Sequence, residues 1–212
     1  MEIGIKFRSS CTSRSRANFA ARHMQAAEYF AAEVARTEAN AGPDLGEVFA
    51  PVEYYHCWSA AVCFAVMALE ANIYDIMKSN ERGDQSPLLG KVVPDVDREP
   101  TLMRYEIAWN LVSSRKFERG AGLVQPIASL IRLRDEITHA KTEFHDAGAV
   151  SKRLEKQLRY RFKLNPFKTG DAFFPDKCVS ADSAHWATRT AAAFMREFAA
   201  ETGFRLNVSW PA

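Results

Sequence analysis

The segment 58–72 does most to limit how this chain can fold. It reads WSAAVCFAVMALEAN, and its apolar residues cover nearly every side of a helix rather than a single stripe. A helix of that kind must be enclosed by other elements. The polar exceptions, Glu70 and Asn72, stand close together near its end. The segment therefore predicts a long, central and buried helix that runs from about 51 to 80.

Helix-forming residues recur along the rest of the chain, and few stretches alternate in the manner of a strand. Further helices are predicted at about 15–40, 101–113, 125–141, 151–163 and 180–202. The segments 81–100 and 165–179 contain several prolines and are predicted to be loops. Residues 204–210 alternate weakly and predict either a short strand or an irregular end. The pattern as a whole predicts an all-α fold.

Length, charge and cysteine content limit the class of protein. The 212 residues fit a single domain, 1–212, and the net charge of +2 disfavours a generally basic nucleic-acid-binding protein. Any nucleic-acid site must therefore depend on local clustering. No apolar run approaches the roughly 18 residues of a membrane span, and residues 1–10 lack the apolar core of a signal peptide. The four cysteines form no CxxC pair, so we expect a cytoplasmic, reducing location without membrane attachment.

The second informative segment is 130–140, LIRLRDEITHA, within the helix predicted at 125–141. It contains Arg134, Asp135 and, five residues after the arginine, His139. An imidazole can move a proton near neutral pH. A guanidinium is always charged and can bind a phosphate through two parallel hydrogen bonds. These side chain types suffice to cleave RNA without a metal ion, so the three residues are the candidate catalytic set.

A helical wheel at about 100° per residue separates two sides of this helix. The aliphatic side predicts the face that packs on the core. It consists of Leu130, Leu133 and Ile137. Arg134 lies at the edge of that face, whereas His139 points nearly opposite to it. Asp135 is four residues before His139 and within its reach, and Arg132 lies on the same outward side.

The wheel also sets a limit on the catalytic pair. Residues five apart on a regular helix diverge by about 140°, so Arg134 and His139 are not expected to touch within one subunit. A second subunit facing His139 removes this difficulty, because the site is then shared across an interface.

With these residues in place, the chain resembles the HEPN superfamily of helical domains. The family pattern is an arginine, a polar residue, three further residues and a histidine, which here is RDEITH at 134–139. The segment ALEAN at 68–72 is similar to the family's second helix, where a glutamate-containing stretch packs near the motif. The resemblance covers about 15–163 and leaves 180–202 as an extra C-terminal helix. Asp135 stands where asparagine is commonest in the family, and a carboxylate suits a phosphate site less well than an amide.

The resemblance implies an up-and-down helical bundle that forms a homodimer through the motif helix. For active members it implies a metal-independent endoribonuclease that acts on single-stranded RNA or tRNA. Many such members are bacterial toxins or abortive-infection proteins, often encoded beside an antitoxin of the nucleotidyltransferase type. Other members are inactive and serve as interaction or nucleotide-binding modules, which is the alternative function for this chain.

Five cations are candidates for binding the phosphates that flank the cut. They are Arg132, Lys152, Arg153, Lys156 and Arg159. Most belong to the basic helix predicted at 151–163. The alternative interpretation of that helix is a solvated face, since Glu155 interrupts it. Likewise, the alternatives for the motif are an ion-paired arginine and a surface histidine, and Glu70 and Asn72 are either neighbours of the motif or the exposed edge of the long helix.

No metal or cofactor is expected. Glu143, His145 and Asp146 lie near the motif, but they lack the spacing of a zinc site. The chain contains neither a GxSxG sequence nor a glycine-rich phosphate loop of the Walker type. His23, His56 and His185 lie in predicted helices and are interpreted as packing or surface residues.

Overall fold

The fold is taken from a computed structural model, which describes residues 19–42, 44–80, 86–96, 98–120, 122–139 and 147–204. Its helices are α1 (Phe19–Asn40), α2 (Val52–Asn80), α3 (Pro87–Val96), α4 (Thr101–Val112), α5 (Val124–Thr138), α6 (Ala147–Leu158) and α7 (Ala181–Thr202). No strand forms among these described residues, where one isolated bridge joins Phe49 to Lys168. The predicted all-α bundle is therefore confirmed.

The long apolar helix α2 lies at the centre of the bundle. It packs against α1, α3, α4, α5 and α7, and Ala61, Ala65 and Leu69 are completely buried. By length and composition alone α2 could also cross a membrane, but 56% of its most apolar window is buried within the fold. A central core helix passes the same test. The predicted central position is thus what the structure shows.

The last helix belongs to the same core. Ser180 caps α7, because its Oγ accepts a hydrogen bond from the Ser183 backbone N–H while the Ser183 Oγ accepts one from the Ser180 N–H. Glu38 connects α1 to α2 and α7. Its Oε1 accepts hydrogen bonds from the Tyr54 hydroxyl of α2 at 2.7 Å and from the Ala181 N–H of α7 at 2.6 Å. Gly203, with φ of 73°, ends the helix. The helix predicted as an addition therefore packs on α1, α2, α4 and α5.

The loop predicted at 81–100 is wrong in part, because α3 lies within it. Pro87 is the first residue of this helix, a position where its missing N–H costs nothing. The Ser86 Oγ accepts a bond from the Leu89 N–H at 3.3 Å, and Leu89 is completely buried. The prolines of this segment predict a loop, whereas Pro87 begins a helix that packs on α2 and α4.

Other boundaries differ by a few residues. The helix α6 covers 147–158 rather than 151–163, and the predicted loop 165–179 includes a short helical turn at Phe173–Lys177. The helix α5 ends at Thr138. The predicted start of α1 near residue 15, the end of α5 near 141 and nearly all of the predicted tail 204–210 lie outside the described residues.

Candidate functional site

Arg134 lies at the edge of the core, as the wheel predicts, and two carboxylates approach it. Leu130 and Leu133 on the same helix are completely buried and fix the orientation of α5. The Arg134 Nη2 lies 2.5 Å from Glu70 Oε1 of α2. Its Nε lies 3.1 Å from Asp135 Oδ1, but without the alignment of a hydrogen bond. The guanidinium is therefore held in place, and about a fifth of the side chain (21%) remains accessible to solvent.

Glu70 joins three other helices at this point. Besides the ion pair with Arg134 of α5, its Oε1 accepts a long bond of 3.5 Å from the Thr101 hydroxyl at the start of α4. On α1, burial lowers the pKa of His23 below its ordinary value, and the Glu70 carboxylate acts in the opposite direction. His23 thus belongs to the surroundings of the motif. Neither His23 nor Thr101 was a candidate from the sequence, since only the packing of α1 and α4 brings them to Glu70.

Asn72, the second polar residue of α2, has a different role. Its side chain is buried, and its Nδ2 donates to the Tyr105 hydroxyl at 2.9 Å. That hydroxyl in turn donates to the Leu69 carbonyl at 3.0 Å. Asn72 therefore ties α2 to α4 through Tyr105, while Glu70 is the residue that contacts the motif.

His139 lies at the exposed end of the motif helix. It is the C-cap of α5, and its backbone N–H donates to the Asp135 carbonyl at 2.9 Å. The side chain is exposed. Among the described residues, no hydrogen bond or ion pair joins it to Arg134 or to the Asp135 carboxylate. The predicted separation of the pair within one subunit is what the geometry gives.

Exposed apolar side chains of α2 lie next to Glu70 along the helix. We define the α2 apolar face as Phe64, Met67, Ala71 and Tyr74, which share one side of the helix by their spacing. Met67 and Tyr74 are 37% and 47% exposed, and Phe64 is partly exposed. The ring of Phe64 stacks on Phe30 of α1 at 5.8 Å. Met67 and Tyr74 are therefore accessible to solvent three residues before and four residues after Glu70 on the same helix.

Cys63 lies near Arg134 on this side of α2, because the charge of the guanidinium affects the pKa of the thiol. Burial raises the pKa of the Cys63 thiol, while the Arg134 guanidinium acts in the opposite direction. The thiol is therefore held protonated, which disfavours a role as a nucleophile.

The predicted RNA-binding cations fall into two groups. Arg153 and Lys156 line a cleft of about 410 Å³ between α5 and α6. Arg132 borders this cleft, because its Nη1 donates to the Gln157 Oε1 at 3.1 Å and Gln157 lines the cleft. Lys152 is exposed but does not line it, and Arg159 is paired with Glu155 at 2.5 Å. Only part of the basic helix therefore faces the cleft: Lys152 lies one turn before Lys156 and outside it, and Arg159 is held in an ion pair.

No group of three or more potential metal ligands occurs within the part of the chain that the structure describes. The segment with Glu143, His145 and Asp146 lies outside it. No family model matches the chain, and neither a curated protein nor a solved structure matches it. The function must therefore be inferred from the arrangement of the side chains themselves.

Proposed function

We propose that this protein is a metal-independent endoribonuclease of HEPN type, whose active site is shared between two subunits. One observation carries the proposal. Arg134 is anchored at the protein surface by Glu70, while His139 is exposed at the end of the same helix and makes no contact with it. A phosphate-binding group and a proton-transfer group are both present, and one subunit alone leaves them apart.

Arg134 has the donors that a phosphate needs. A guanidinium carries five N–H donors, and Glu70 accepts one of them. Within the described residues no other group accepts from the remaining Nη donors, which can bind the oxygens of a phosphate as the transition state forms. Because Glu70 already fixes the guanidinium, little side-chain entropy is lost when the phosphate binds, which favours charge stabilisation in the transition state.

His139 supplies the proton transfer. As a base, an imidazole removes the proton from a 2′-hydroxyl, and the oxygen attacks the adjacent phosphorus. The bond from phosphorus to the 5′-oxygen breaks, and the leaving oxygen takes the proton back from the imidazolium of the same His139, directly or through a water molecule. The products are a 2′,3′-cyclic phosphate and a 5′-hydroxyl, and no step needs a metal.

The α2 apolar face supports a second copy of this chain as the partner. Met67 and Tyr74 are exposed at a side of α2 that also carries the Glu70–Arg134 pair. Covering this face with the same face of a second subunit buries apolar surface and brings two motif helices together. The substrate class that follows is single-stranded RNA or tRNA. A toxin or defence setting, a nucleotidyltransferase-type antitoxin and a cytoplasmic location remain parts of the same proposal.

One observation favours the alternative function, an inactive interaction module. Glu70 and Asp135 both approach Arg134, so the local charge is one negative unit in excess. That balance opposes a phosphate. In this alternative the arginine serves to hold α5 against α2, and the α2 apolar face still binds a partner.

The direct test uses purified protein with a labelled single-stranded RNA in the presence of a chelator. We expect the wild type to produce fragments that end in a cyclic phosphate, and His139→Ala to produce none. Because His139 is exposed and caps the helix through its backbone, the variant is expected to fold normally, which circular dichroism checks. Equal cleavage by both proteins, or by neither, contradicts the catalytic proposal.

Asp135→Asn is expected to raise activity. The carboxylate is about half exposed (49%) and lies beside Arg134 rather than beside His139, so it offsets the guanidinium charge. Removing that charge is expected to raise kcat/KM for RNA by roughly fivefold, on the order of the about 1 kcal/mol of an exposed charge contact. The measurement compares initial cleavage rates below saturation.

The matched control is Glu136→Gln, which removes the same charge from the neighbouring position, where no ion pair within the described residues involves the side chain. It is expected to change kcat/KM less than twofold. A fall in activity for Asp135→Asn would instead show that the carboxylate assists the reaction, for example by orienting the imidazole.

A further inference from the structure

The cleft between α5 and α6 has an unusual lining. It is formed by Gln125 and Ser129 of α5, by Arg153, Lys156 and Gln157 of α6, and by Arg161 just after it. Each of these side chains is polar, three are cationic and none is acidic. Ligand pockets of this size, about 410 Å³, are usually lined mainly by apolar and aromatic residues. The lining therefore suits a charged, hydrated group rather than a base or another flat ring.

The cations of the cleft have no acidic partner in the part of the chain that the structure describes. Among the described residues, no carboxylate lies within 4 Å of Arg153, Lys156 or Arg161. Arg159, by contrast, is paired with Glu155. Three uncompensated cations around one cleft repel one another, and that repulsion is relieved when an anion binds.

Two of the polar groups are already fixed in place. The Arg161 Nε donates to the Gln157 carbonyl at 2.9 Å, and its Nη2 lies 3.5 Å from the Gln125 Oε1. The Arg132 guanidinium holds the Gln157 side chain in place by donating a hydrogen bond to the Gln157 Oε1. Arg161 therefore presents an oriented guanidinium to the cleft, which the exposed Lys156 also lines.

We infer that this cleft binds the phosphodiester backbone of single-stranded RNA, with Arg153, Lys156 and Arg161 neutralising its phosphates. The choice of RNA as the ligand rests on the proposed function, whereas the cleft and its charge are observed independently of that function. Among the described residues no aromatic side chain lines the cleft, so bases are not expected to stack there and binding is largely independent of sequence. The site also includes Arg161, which belongs to the basic stretch predicted at 151–163, and Gln125 of α5, and it leaves out Lys152 and Arg159.

The test compares two identical substitutions on one helix, Lys156→Gln and Lys152→Gln. Both lysines are exposed, both changes remove one positive charge, and only Lys156 lines the cleft. All proteins carry His139→Ala so that the RNA stays intact, and binding of a labelled single-stranded RNA is followed by fluorescence anisotropy over a range of salt concentrations.

We expect Lys156→Gln to weaken binding by about fivefold and to lower the slope of log K against log salt by about 0.7, as for one lost phosphate contact on a single strand. Arg153→Gln with Lys156→Gln is expected to lower the slope by about 1.4. Lys152→Gln is expected to stay within about twofold of the parent protein. Thermal unfolding of each variant checks that the fold is retained.

Equal losses for Lys152→Gln and Lys156→Gln would assign binding to the diffuse charge of the helix and overturn the inference. The inference would also be overturned if the parent protein did not bind RNA. The outcome is separable from the catalytic proposal: wild-type protein that does not cleave RNA, combined with a selective loss at Lys156, retains the cleft and removes the ribonuclease. If the wild type cleaves RNA and the two lysine variants bind it equally well, the ribonuclease proposal is retained and the cleft is rejected as the binding site.

Discussion

A mixture of Arg134→Ala subunits and His139→Ala subunits is expected to cleave RNA, although each variant alone is expected to be at least about a hundredfold less active than the wild type. The reason is the separation of the two side chains. Arg134 is turned toward α2 by its pair with Glu70, and His139 is exposed past the end of α5. If an active site takes the arginine from one subunit and the histidine from the other, a mixed dimer contains one site with both residues intact.

The expected size of the recovery follows from random pairing. With equal amounts of the two variants, half of the dimers are mixed and each has one of its two sites complete, so about a quarter of the wild-type rate returns. The subunits are unfolded together and refolded, or co-expressed with different affinity tags. The measurement is the initial rate of RNA cleavage in chelator.

The control places both substitutions in the same subunit. A mixture of the Arg134→Ala/His139→Ala double variant with the wild type has about a quarter of the full rate if sites are shared, since only wild-type dimers are then complete. It retains about half if each subunit carries its own site. No recovery in the first mixture, together with half of the rate in the second, would show that one subunit is sufficient and contradict the shared site.

The central part of the fold follows from the sequence because it depends on local pattern. The apolar run at 58–72 can only be a buried helix, and α2 is the core of the bundle. Ser180 and Asp182 signal the start of α7 at the residue where it begins. The helix α3 is missed because both Pro87 and Pro94 are read as signals of a loop. A proline at the first position of a helix favours the helix, whereas a proline in its interior disfavours it.

The candidate site was only partly predictable, for a related reason. The wheel of α5 gives the directions of Arg134 and His139, since both depend on one helix. A glutamate in an otherwise apolar segment indicates a polar partner, and Glu70 has one in Arg134, 64 residues away in the chain. The proximity of His23 and the pairing of Asn72 with Tyr105 depend on how helices cross. No local pattern carries that information.

The free energy of unfolding is expected to fall steeply above about pH 10. Tyr54 and Tyr105 are completely buried. Burial raises the pKa of the Tyr54 hydroxyl above its usual value, and the bond it donates to Glu38 adds to this. Burial likewise raises the pKa of Tyr105. The neutral hydroxyls are needed because each donates a bond, to Glu38 and to the Leu69 carbonyl respectively.

The sign follows from proton binding in the two states. Below about pH 10, the usual pKa of tyrosine, both the folded and the unfolded chain keep these protons and the stabilisation is complete. Above it the unfolded chain loses them while the folded chain retains them, so each further pH unit lowers the free energy of unfolding by about 1.4 kcal/mol for each tyrosine. Urea unfolding at pH 9, 10 and 11 (values chosen to bracket that pKa) measures the slope.

Two tyrosine-to-phenylalanine variants separate this cause from general alkaline damage. Tyr105→Phe removes one of the two groups, so the slope above about pH 10 is expected to fall by about 1.4 kcal/mol per pH unit, even though the variant is less stable at neutral pH because Asn72 loses its partner. Tyr29→Phe is the matched control, since Tyr29 lies on α1 and is 60% exposed. It is expected to leave the slope unchanged. Equal slopes for Tyr105→Phe and Tyr29→Phe would mean that the buried hydroxyl between α2 and α4 is not what limits stability in alkali.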